Sequence, residues 1–91
     1  MKHAGPVALG RLEPFLRQLR KLPGLKEPKR GLFYRGSRAF LHFHEHGDEF
    51  HADVRFADDF ERCPATTAAQ RKALLERVRA KLADGNGPVR R

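Results

Sequence analysis

A chain of 91 residues with a formal net charge of +8, 40% apolar side chains and seven phenylalanines reads as one small, basic globular domain. At this length folding buries roughly 60–65% of the unfolded surface, so the core is modest. A single cysteine, Cys63, excludes an internal disulfide and a cysteine-built zinc cluster, and no apolar run approaches the ~20 residues of a membrane span.

In chain order, "GRLEPFLRQLRKLPG" sets Leu12, Phe15, Leu16, Leu19 and Leu22 three and four residues apart. This is one apolar helical stripe, with Arg11, Arg17, Arg20 and Lys21 outside it. Proline fits a helix only in its first turn, so Pro14 predicts a start between Gly10 and Pro14, and Pro23-Gly24 predicts the end. The basic "LKEPKRG" that follows has no periodicity and reads as a connector.

Next, "GLFYRGSRAFLHFHEHGDEFHADVRF" divides into three strands at Gly36-Ser37 and Gly47-Asp48. Glycine in the first central position is the mark of a type II′ hairpin turn. Pairing outward from each turn puts Leu32, Tyr34, Ala39, Leu41, Phe43, Phe50, Ala52, Val54 and Phe56 on one face. Phe33, Arg35, Arg38, Phe40, His42, His44, His51, Asp53 and Arg55 fall on the other. Successive residues of an antiparallel strand bond to opposite neighbours, so two-residue turns at both ends would give the middle strand's even residues two partners each. Either one turn widens to four residues, keeping these faces, or the middle strand carries a bulge, which changes them. The wider loop, at His46 to Glu49, is the geometry expected here.

The acidic "ADDFERCPATT" reads as a second connector with Phe60 turned into the core. Thr67 and Gln70 form a capping box that starts a last helix, whose buried stripe is Leu74, Leu75, Val78 and Leu82 and whose stop is Gly85. The expected fold is a single α+β domain in two layers: a helix, a three-stranded antiparallel meander and a second helix, both helices on one sheet face. Order is expected over about residues 10–84, with His3 in a frayed N-terminus and a flexible tail at 85–91.

The face left open carries the chemistry. On this register His44 lies opposite His51 and His42 opposite Asp53, with opposed Cβ atoms about 5 Å apart. Three imidazoles and a carboxylate at the corners of such a quadrilateral suit Zn²⁺ or another borderline divalent ion. His46 belongs to the turn and Glu45 to the core side, so neither joins them. His42 and Asp53 also resemble a base with its orienting carboxylate. No nucleophile accompanies them, a flat sheet offers little concavity, and Cys63 has no helix N-terminus to activate it, so a non-enzymatic protein is expected.

The same face supports a second reading. Residues 1–38 hold ten Lys and Arg against two acids, 39–65 hold two against seven, and 66–91 hold seven against two. The basic ends favour an anionic partner. Phe33 and Phe40, bracketed by Arg35, Arg38 and Arg55, would form a platform on which unpaired bases stack, and Lys26, Lys29 and Arg30 would hold phosphates. Nucleic acid is then the first candidate ligand. A third reading pairs two copies of the chain through Phe33 and Phe40 as a homodimer. No segment has the make-up of a signal peptide, and a cytoplasmic protein without a membrane partner is expected.

The stretch from Leu22-Pro23-Gly24 through Arg35-Gly36-Ser37-Arg38 to Phe40 resembles the core of the MmcQ/YjbR-like small bacterial proteins. It covers about a third of the chain. This chain is shorter than those proteins and has a histidine-rich hairpin where they have lysine-rich strands. The resemblance implies a compact α/β fold and favours nucleic acid as partner. It transfers no catalytic residue.

Overall fold

The computed structural model describes residues 2–84. Two helices and six strands follow one another as β1 (Lys2–His3), α1 (Pro6–Arg20), β2 (Leu25–Lys29), β3 (Leu32–Arg35), β4 (Arg38–His46), β5 (Glu49–Val54), β6 (Glu61–Pro64) and α2 (Ala68–Asp84). The architecture is α+β. The strands form one antiparallel sheet in the order β2-β3-β4-β5-β6, with β1 added beside β4. The expected three-strand meander is its centre. Both stretches read as connectors supply further strands, β2 from the basic one and β6 from the acidic one. Pro28 and Pro64 lie in these two outer strands.

The parity conflict is resolved by the bulge. His46 pairs with Glu49 and Arg35 with Arg38, so both turns have two residues, and Gly36 (φ 64°) and Gly47 (φ 60°) take the positive φ that a type II′ turn demands. The register then shifts inside the first hairpin: Tyr34 pairs with Ala39, but Phe33 pairs with Leu41. Phe40 is the extra residue, and its carbonyl is used on the other side, accepting from the Arg55 N–H at 2.8 Å. Beyond the bulge, β4 and β5 keep the expected register, with His42 opposite Asp53 and His44 opposite His51.

The bulge changes the faces. Phe33 and Phe40 are 1% and 2% exposed and belong to the core with Leu41, Phe43, Ala52 and Val54, while Leu32 and Tyr34 are only half-buried. The core is one cluster that also takes Leu12, Phe15, Leu16 and Leu19 of α1 and Leu74, Leu75, Val78 and Leu82 of α2. The Phe15 ring meets Phe43 edge-on at 6.0 Å. Expected helical stripes and observed buried residues coincide.

Helix α1 starts earlier than Pro14 suggests. Pro6 supplies its first turn, and Pro14 lies inside it. Proline at 14 deprives the Gly10 carbonyl of its donor, but both residues are exposed, so water takes that carbonyl while Ala8, Leu12, Phe15, Leu16 and Leu19 hold the helix to the core. Helix α2 starts as expected: Thr67 Oγ1 accepts from the Gln70 N–H at 3.1 Å, and Gln70 Oε1 accepts from the Thr67 N–H at 3.0 Å. The expected stop at Gly85 and the expected tail at 85–91 lie outside the described residues. No helix among the described residues is long and apolar enough to cross a membrane.

Candidate metal centre on the histidine face

Strand β4 carries His42 and His44, which alternation aims to the same side. β5 adds His51 and Asp53 across from them. The unexpected contributor is His3. It is no frayed end: β1 pairs with β4 so that His3 lies opposite His44, and the Ala4 N–H bonds to the Phe43 carbonyl at 3.0 Å. What anchors this segment is Glu45. Its Oε2 accepts from the Gly5 N–H at 2.7 Å, at the start of α1, where the exposed N–H groups and helix dipole favour an anion.

The result is a packed group of imidazoles. His3 and His44 stack at 4.6 Å between ring centres, His42 and His44 meet edge-on at 4.9 Å, and His3 and His42 are 5.6 Å apart. One ligating atom from each of the three lies within 4.8 Å of the others. Of the expected set His42, His44, His51 and Asp53, the group within this distance contains His42 and His44, together with His3 and without His51 or Asp53. Phe60, expected in the core, is instead 37% exposed, and its ring packs edge-on against His42 at 4.8 Å.

Asp53 has a different task. It is 8% exposed and takes two hydrogen bonds from Arg62, at 2.9 and 3.0 Å. Its Oδ2 also lies 3.0 Å from Nε2 of His44, itself 8% exposed, although that approach is too oblique for a formed hydrogen bond. Hydrogen bonding to Arg62 outweighs burial and holds the Asp53 carboxyl below its ordinary range.

The imidazoles move the other way. Burial pushes His42 and His44 below the ordinary histidine range; neighbouring imidazoles add to this and Asp53 opposes it. The shift favours the neutral form of both, which carries a lone pair on the ring. Nδ1 of His42, His44 and His51 and Nε2 of His44 are buried without a well-formed hydrogen bond; His44 has only a weak interaction with the Lys2 backbone. Buried polar atoms normally find a partner, so a group of imidazole nitrogens without one is chemically unfinished.

The residues expected to bind nucleic acid are placed less favourably. Phe33 and Phe40 are inside the chain's own core, so neither base stacking nor a dimer contact has these rings to use. Arg30 is paired with Glu13 at 2.8 Å. Lys26 and Lys29 are exposed on β2, and Arg35 and Arg38 face each other at the first hairpin turn. Cys63 is buried, and burial raises its thiol above the ordinary range.

Compared with known proteins, the chain matches no family model, no curated protein and no solved structure.

Proposed function

We propose that this chain is a non-enzymatic domain that binds a divalent transition metal, zinc first among the candidates, through His3, His42 and His44. The reading includes both helices covering the Leu41 and Val54 side of the sheet, with the imidazoles on the side away from them. The observation that carries it is the convergence of three imidazole donors within 4.8 Å, with the buried Nδ1 of His42 left without a hydrogen-bond partner. Neutral imidazole suits zinc, copper and nickel, whereas calcium and magnesium want oxygen.

Bonds of ~2.0–2.1 Å to a tetrahedral ion put its nitrogens about 3.3 Å apart, so the trio would close by about 1.5 Å at most. His3, exposed and on a two-residue strand, is the member free to make that movement. Three ligands leave one position for water or an outside group. Asp53 then acts from behind, orienting His44 as carboxylates commonly orient metal-bound imidazoles.

The test is a zinc titration followed through the histidine ring signals by NMR. The rings of His3, His42 and His44 are expected to shift together and stop at one equivalent. His3→Ala is expected to abolish this and His51→Ala to preserve it. Rings that shift independently, or an ion bound equally well without His3, would exclude this site.

A further inference from the structure

We propose that the cleft at the Gly36-Ser37 end of the sheet is a second ligand site, independent of the imidazoles, that takes a phosphate group on Arg35, Arg38, Arg55 and Lys81. These four side chains line one cleft of about 280 Å³, with Phe40 and Phe56 in its wall. Three separate parts of the chain build it: the first hairpin, the segment following β5 and the last turn of α2.

The two-residue turn sets Arg35 and Arg38 directly opposite each other. Like charges in that position destabilise a sheet. Neither guanidinium, nor the Lys81 ammonium, makes an ion pair or side-chain hydrogen bond among the described residues. Arg55 is held in place but not neutralised. Its Nε donates to the Ala39 carbonyl at 3.0 Å, its Nη1 to the Asp58 carbonyl at 2.6 Å, and its guanidinium lies 4.3 Å over the Phe60 ring. All three partners are uncharged. Among the described residues the one acid lining the cleft is Asp58, so the positive charge of those residues stays in excess. The carbonyls ending α2 carry partial negative charge, and Lys81 lies among them as the last-turn cation.

The arrangement favours phosphate over carboxylate. One guanidinium already satisfies the two oxygens of a carboxylate with its fork. Two opposed guanidiniums, a third at the side and an ammonium match a tetrahedral group with several terminal oxygens and up to two charges. The Phe33 and Phe40 rings lie inside the core, and the cleft's excess of cations makes the phosphate itself the group that is recognised. A phosphate ester on a small molecule and the backbone of a nucleic acid share that chemistry.

The experiment follows the arginine Nε–H signals by NMR at constant ionic strength. Probes are inorganic phosphate, then a single-stranded oligonucleotide with and without a 5′-phosphate. Phosphate is expected to shift Arg35, Arg38 and Arg55 and to leave Arg11 and Arg79 in place. Arg35→Gln and Arg38→Gln are each expected to weaken binding about tenfold, the loss of a charged hydrogen-bond pair, while raising the thermal midpoint because the opposed charges are relieved. His44→Ala is expected to bind phosphate normally, which separates this site from the metal centre. Response to the 5′-phosphorylated oligonucleotide alone identifies a terminal ester as the ligand, and equal response to both identifies the backbone. The site is refuted if phosphate moves all arginine signals alike, or if both Gln variants bind as the parent does.

Discussion

Oδ2 of Asp53 approaches Nε2 of His44 to 3.0 Å while both oxygens of the same carboxylate accept hydrogen bonds from Arg62. One buried acid therefore links a cation that reaches solvent to an imidazole that does not. The link makes the electrostatics of the proposed metal centre depend on a residue outside the His3, His42 and His44 trio.

Asp53→Asn tests that dependence. The amide keeps the shape but loses the charge that orients His44, and zinc affinity is expected to fall about 10–100-fold, the usual cost of losing such a partner. Competition against a chromophoric chelator measures it. Affinity equal to the parent's would mean that Asp53 serves Arg62 alone.

Phe40 tests the bulge. As the extra residue of β4 it is nonetheless buried, and Phe40→Ala is expected to cost about 3–5 kcal/mol, read from urea unfolding. A loss under about 1 kcal/mol would place the ring on the surface, where the unbulged register puts it.

Acid unfolding tests the ion pairs joining α1 to β2. Hydrogen bonds from Arg20 and Arg30 lower the Glu13 carboxyl from the ordinary 4.5 to about 2. At Glu27 burial works against the charge, and Arg20 with the Gly31 N–H overcomes it, so this carboxyl is lowered too. An acid with a depressed folded pKa stabilises the fold above its unfolded value, and the contribution is lost as pH falls through the folded one. For Glu13 that window runs from 4.5 down to about 2. The parent is expected to lose thermal stability across it more steeply than Glu13→Gln, and identical slopes would show that the pairing contributes nothing.

Much of the fold was legible because local rules and burial agreed. The stripes of both helices, the Thr67–Gln70 capping box and the pairing of His42 with Asp53 all follow from periodicity or from a turn of known type. Parity also announced the conflict in β4, but two remedies satisfied it. The choice fell to the core, which buries the successive residues Phe40 and Leu41 together. That is something alternation never proposes. Strands β2 and β6 were missed because proline and charge hide a short outer strand, and β1 because two residues show no period. His3 had one indirect signal: Glu45 sits on the core side of β4 and needed a donor, which the Gly5 N–H provides. Only the assembled sheet shows that this also delivers His3.

The outer strands have a further consequence. The Ala65 N–H turns inward to the Phe50 carbonyl, so by alternation Pro64 presents its nitrogen to the free rim of β6, where proline has no hydrogen to give. Pro28 likewise removes a donor from β2 at the other margin. Copies of the chain that came together side by side would find that ladder interrupted at both borders, a built-in resistance to fibrous stacking in a protein with little core to spare.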